Sequence, residues 1–219
     1  MKKLMMFFGI LAIALTAFAQ QDEEYNTRDS DEIQTLMGKN NALGGYGAIS
    51  MQYTEIQNRD AFVFGARGGI TMGHTVTLGI GGAGFFNDMH YDESAQQDIS
   101  LAGGYGGFFF EPVVFPKYPV HVSFPILIGA GGVAVVTNND DDSWDEDFKS
   151  EASDAFMVIE PGVEVELNIT RFFKFCVGAY YRYTSDVDID GGTIAGDYNI
   201  PTDILHGFSG GVTFKFGKF

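Results

Sequence analysis

The strongest signal in the chain is an alternation of apolar with polar or small side chains that recurs after residue 41. In Arg171 to Tyr183 the odd positions are Phe173, Phe175, Val177, Ala179, Tyr181 and Tyr183, while the even ones include Lys174, Cys176, Gly178 and Arg182. Successive strand residues point to opposite faces, so this segment has one apolar face and one polar or small face. Phe156 to Ile169 divides in the same way. Met157, Ile159, Val163, Val165, Leu167 and Ile169 share a face with Pro161, opposite Glu160, Gly162, Glu164 and Glu166. Comparable runs occupy Gly44 to Glu55, Ala61 to Thr71, Thr75 to Phe86, Ile99 to Glu111, Val120 to Val136 and Leu205 to Phe219. Eight strands are predicted, each at or above the roughly 9 to 11 residues that a tilted strand needs to cross a bilayer. Strands of soluble sandwiches are usually about half that length.

The joins between these strands fall into two classes. If the first strand leaves the periplasm, the outward joins are Ile56 to Asp60, Asn87 to Asp98, Thr137 to Asp154 and Thr184 to Ile204, three of them long and acidic. The inward joins are Met72 to His74, Pro112 to Pro119 and Thr170 alone. Long external loops over short periplasmic turns describe a bacterial outer-membrane barrel. The expected fold is therefore all-β: an eight-stranded antiparallel up-and-down transmembrane β-barrel over residues 41–219, with ten strands as the other count the pattern allows.

The amino-terminal pattern differs. Lys2 and Lys3 precede an apolar run from Leu4 to Ala17 and the small-residue site Ala17-Phe18-Ala19, which reads as a signal peptide over residues 1–19. The run is too short for a membrane anchor, which needs about 20 apolar residues. Residues 20–40 are polar and acidic, an expected periplasmic arm with at most a turn or two of helix before Gly38.

Composition narrows the function classes. Thirteen Lys and Arg against 29 Asp and Glu give a formal charge of -16. Binding to nucleic acid rests on neutralising phosphates, so it is not expected. An apolar share of 45% excludes an acidic disordered chain. Twenty-nine Gly and 21 Phe suit strands better than helices, since Gly costs a helix interior about 1 kcal/mol. The single Cys176 leaves no intramolecular disulfide to stabilise an exported fold. The acids concentrate in the arm, the outward joins and a small set within the strands, and the stretches between are nearly neutral.

This pattern resembles the small Gram-negative outer-membrane β-barrel superfamily of the OmpX and OmpA transmembrane-domain type, over Asn41 to Phe219. Such barrels end on an aromatic residue after alternating apolar ones. Phe219 is aromatic, and Val212, Phe214 and Phe216 alternate one step out of phase with it. Tyr118 to Gly132 also looks like a segment of exported Gram-negative barrel proteins. The resemblance implies residence in the cell outer membrane, contact with lipid and lipopolysaccharide, recognition by the outer-membrane insertion machinery, and a monomer. No functional residue is carried over from it.

Eight strands enclose a lumen that side chains just fill, so an open channel is not expected. The face opposite the apolar one would project Arg67, Glu160, Glu164, Glu166, Lys174 and Arg182 into that lumen, with His121 and Ser123 on a neighbouring strand. Burying such charges unpaired is costly, so Glu160, Glu164 and Glu166 are expected to pair with Lys174 and Arg182 across adjacent strands.

Two features could carry chemistry. His121-Val122-Ser123 puts an imidazole and a hydroxyl on one strand face, as in some barrel lipid A deacylases, where a carboxylate assists; the plainer reading is packing. Asp186-x-Asp188-x-Asp190-Gly191, followed by Asp197, spaces oxygen ligands as a calcium loop does, although a strand running into a Gly191-Gly192 turn explains it as well. No cofactor is expected, unless Ca2+ occupies this outer loop. The function expected is structural or surface-interacting rather than catalytic. The alternatives are a lipid A-modifying barrel enzyme using His121 and Ser123, and a soluble periplasmic β-barrel holding an apolar ligand.

Overall fold

The computed structural model describes residues 43–56, 59–87, 90–92, 97–138, 149–187 and 202–219. The signal-peptide stretch 1–19, the arm 20–40 and Asp188, Asp190 and Asp197 lie outside them. The described residues form ten strands. They are β1 (Leu43–Ile56), β2 (Arg59–Met72), β3 (Val76–Asn87), β4 (His90–Asp92), β5 (Gln97–Val114), β6 (Val120–Ser123), β7 (Ile126–Asn138), β8 (Lys149–Asn168), β9 (Phe173–Thr184) and β10 (Gly207–Lys218). All pair antiparallel, and β1 pairs with both β2 and β10, so the sheet closes on itself.

Ten strands make eight staves. Short β4 lies beyond the end of β3 against the same β5. β6 and β7 form one stave, because each holds the same frame on both neighbours: Ser123 opposes Val113 and Glu164, and Ile126 opposes Phe110 and Pro161. The break falls at Phe124 and Pro125, since proline has no N–H for the ladder. The frame is bridged across it, with Gly162 N donating to the Pro125 carbonyl at 2.7 Å and Phe124 N to Pro112 at 3.0 Å.

Strand ends differ in places from those read in the sequence. The last strand begins at Gly207 rather than Leu205, because Thr202 to Leu205 form a turn. Between β8 and β9 the connection is Ile169 to Phe172 rather than Thr170 alone, closed by Ile169 N and Thr170 N donating to the Phe173 carbonyl. Short turns at Gly73–Thr75, Phe115–Pro119 and Ile169–Phe172 define one end of the barrel, the turn end. The remaining joins define the loop end.

Side chains sort by parity. Outward positions leave Ile49, Phe64, Ile80, Phe108, Ile128, Met157 and Phe208 exposed, Phe108 at 78% and Ile80 at 68%. A continuous exposed apolar surface of this kind is unstable in water and matches bilayer hydrocarbon. Closure pairs the backbone donors that an open sheet edge would leave bare in lipid. Among the described residues no helix is long and apolar enough to cross a membrane.

Inward positions are narrow where strands coil. A Cβ at Gly129 would lie 2.0 Å from the Gly106 carbonyl oxygen and 2.8 Å from Gly107 Cα, so β5 and β7 approach closely only because both carry glycine there. Towards the loop end, Val63, Phe85, Leu101, Tyr105, Val133 and Phe156 build an apolar plug with Ile204 and Leu205. The linked ion pairs lie in the half of the lumen nearer the turns.

Candidate functional site

The site is a buried ion-pair network in the lumen, whose glutamates, lysines and arginine stand at inward positions of five staves. β8 supplies Glu164 and Glu166, β9 supplies Lys174 and Tyr180, β10 supplies Thr213 and Lys215, β5 supplies Glu111, and β2 supplies Arg67. Lys215 stands at the centre. Its Nζ lies 2.9 Å from Glu111, 2.9 Å from Glu164 and 2.6 Å from Glu166, with the side chain 1% exposed. Arg67 reaches Glu164 at 2.6 Å and Glu111 at 3.2 Å from the far side of the lumen. Lys174 donates to Glu166 at 3.0 Å and sits 4.1 Å from the centroid of the Phe219 ring.

Hydroxyl groups take up the remaining carboxylate lone pairs. Tyr46 donates to Glu111 at 2.7 Å, Thr213 to Glu164 at 3.2 Å, and the Tyr180 hydroxyl also donates to Glu164. Higher in the lumen, Tyr105 donates to Glu160. Together the inward Glu111, Glu160, Glu164 and Glu166 face Arg67, Lys174, Arg182 and Lys215, four acids against four bases. Charge balance and hydrogen bonding are what allow ionised groups to persist away from water, and the set is not fully satisfied: among the described residues Arg67 Nε and both terminal nitrogens of Arg182 are buried with no hydrogen-bond partner.

One expected pairing scheme is corrected by this geometry. Glu160, Glu164 and Glu166 do not all pair with Lys174 and Arg182. Of these, Glu166 meets Lys174, whereas Glu164 pairs with Arg67 and Lys215, and Glu160 accepts from Tyr105. Arg182 turns towards the loop end, where its Nε donates to the Leu205 carbonyl at 2.8 Å and its guanidinium lies 5.4 Å from the Phe85 ring centroid. The physical reason is the closed ring: inward side chains meet across the lumen as readily as along one strand pair.

His121 and Ser123 belong to the same network. Register places His121 opposite Glu166 and Ser123 opposite Glu164. The imidazole Nδ1 lies 3.1 Å from the Tyr118 carbonyl, and Nε2 lies 2.8 Å from Glu166 and 3.2 Å from Lys174 Nζ. Ser123 Oγ donates to Glu164 at 3.4 Å. Both residues are buried inside the barrel, each held by a carboxylate of β8 rather than by the other. Asp186, the one member of the calcium-spaced set among the described residues, is exposed beyond the end of β9.

Between the network and the apolar plug lies a cavity of about 40 Å³ lined by Gln52, Arg67, Tyr105, Leu127, Glu160 and Tyr180. That is room for roughly two or three waters and no more.

No family model matches the chain, and no curated protein does. Solved structures do match. The crystal structure of Neisserial surface protein A superposes with a TM-score of 0.53 at 10% identity, covering 81% of this chain and 97% of that one. The fold is that of the small outer-membrane β-barrels. The attachment invasion locus protein Ail of Yersinia pestis, in complex with the heparin analogue sucrose octasulfate, gives a TM-score of 0.47 at 12% identity over 80% of this chain and 97% of that one. The N-terminal β-barrel domain of Pseudomonas aeruginosa OprF gives 0.40 at 11% identity over 80% and 96%. Within this fold, the glutamates of β8 are what set the present lumen's chemistry, since Glu164 and Glu166 between them contact Arg67, Lys174, Lys215, Tyr180, Thr213, His121 and Ser123.

Proposed function

We propose that the protein is a monomeric outer-membrane barrel with a structural or surface-interaction role and a closed, non-conducting lumen. The observation that carries this reading is the combination of an apolar outer wall with a lumen filled by the Glu111–Arg67–Glu164–Lys215–Glu166 network and capped by an apolar plug. Short turns face the periplasm in such barrels, which puts the acidic loop end outside. With Glu55, Asp60, Asp186 and Asp203 exposed there, the surface offered to the exterior is anionic.

The lipid A-modifying alternative needs Ser123 to be activated by His121 at the lipid face. The pair's position inside the lumen, with Ser123 bonded to Glu164, weighs against it. A soluble barrel carrying an apolar ligand would have the reverse sidedness, polar outside and apolar within. Conduction offers the direct test. Full-length protein inserted in planar bilayers is expected to give no resolved current steps above the bare-membrane baseline. Sustained steps from native protein would contradict the closed lumen.

A further inference from the structure

Exposed charge divides along the barrel axis. The loop end carries the acids named above, whereas the exposed charged side chains at the turn end include Lys117, Arg171 and Lys218, with no exposed acid among the described residues there. These cations are not scattered. Asn168 donates through its backbone N to Pro119 at 2.9 Å and through Nδ2 to the Tyr118 carbonyl at 3.0 Å, tying the β5–β6 turn to the end of β8. Gly217 N donates to the Phe172 carbonyl at 2.9 Å, and the Phe172 and Phe216 rings lie 6.1 Å apart, tying the β8–β9 turn to the end of β10. Lys117, Arg171 and Lys218 therefore follow one another along a single connected rim.

Exposed rings accompany them. Phe115, Tyr118 and Phe172 are 66%, 63% and 62% exposed, and Phe115 meets Tyr118 edge-on at 6.0 Å. Phe115 adopts a φ of 56°, a conformation costly for a non-glycine residue, and in return its ring stands clear of the barrel. A strained backbone that presents an unburied aromatic pair, continuous with the apolar wall and topped by cations, fits an amphipathic surface of opposite charge. We propose that this rim binds anionic glycerophospholipids of the leaflet at the turn end, its rings entering the boundary between headgroups and acyl chains and its cations meeting the phosphates. The proposal rests on the membrane placement argued above.

The test uses full-length protein folded in detergent and mixed with equal amounts of phosphatidylglycerol and phosphatidylcholine. Lipid retained after gel filtration is measured by mass spectrometry. Native protein is expected to retain the anionic lipid over the zwitterionic one by about fivefold or more, given three cations at the headgroup level. The K117Q/R171Q/K218Q variant is expected to lose that preference, and the loop-end control D60N/D203N to keep it. Glycerophosphoglycerol, which has the headgroup without the acyl chains, is expected not to displace the bound lipid. Equal retention of both lipids by native protein, an unchanged preference in the triple variant, or displacement by the soluble headgroup would each overturn the proposal. A detergent-requiring barrel without lipid preference removes this inference alone. A chain that stays folded in aqueous buffer removes the membrane placement itself.

Discussion

Replacing Lys215 by methionine is expected to destabilise the barrel by about 3–5 kcal/mol, the usual cost of stranding buried charge by removing its partner. Among the described residues the ammonium of Lys215 is the one group in contact with Glu111, Glu164 and Glu166 at once, at 2.6 to 2.9 Å. Without it, Glu111 and Glu164 keep Arg67, and Glu166 keeps Lys174 and His121, so three acids share two permanent cations. Lys174→Met removes a single ion-pair contact, to Glu166, and should cost clearly less. Adding Glu111→Gln to Lys215→Met should restore part of the loss, because it removes one of the stranded charges. The measurement is the urea midpoint of the refolded protein in lipid vesicles. A Lys215→Met variant within about 1 kcal/mol of the native protein would show that the network does not hold the lumen together.

Phe108→Arg should produce the second large effect, a loss of about 2–4 kcal/mol if the ring lies near the middle of the bilayer. Phe108 is 78% exposed and sits in register with Ile80 and Ile128, both of them exposed outward. In water, exchanging an exposed phenylalanine for arginine on a strand would cost little and improve solubility. In hydrocarbon the guanidinium must be desolvated or must snorkel, and the native ring is already satisfied. The same urea titration decides between these environments, and the sign of the effect matters more than its size.

How much of this was legible in the sequence depends on the range of the interaction. Parity is local, so the two faces of β8 and β9 could be read from Met157 to Ile169 and from Phe173 to Tyr183 without knowing what surrounds them. Strand ends were less legible because they are set by turns: Leu205, read as the first residue of the last strand, belongs to the turn Thr202 to Leu205. The network's partners were the least legible. Glu111 follows the consecutive apolar run Phe108 to Phe110 and precedes Pro112, which hides its inward parity. Lys215 sits between Phe214 and Phe216, and its parity was visible there. What no local pattern states is that β10, β5 and β8 meet across the lumen, since that follows from the closure of the ring. Tyr46, Tyr105 and Tyr180 were missed because an aromatic in a barrel strand suits lipid as well as lumen, and the hydroxyl groups they aim at glutamates appear only in three dimensions.

The central claim is that the apolar parity of each strand faces lipid and the other parity faces a closed, charged interior. Nitroxide labels placed one at a time along β9 of a Cys176→Ala protein in lipid vesicles test this most directly, with collision rates measured against oxygen and against a water-soluble nickel chelate. Labels at Phe173, Phe175, Val177, Ala179, Tyr181 and Tyr183 are expected to collide with oxygen and not with nickel, while those at Lys174, Gly178, Tyr180 and Arg182 are expected to be protected from both. High nickel collision at the odd positions, or no two-residue period at all, would contradict it.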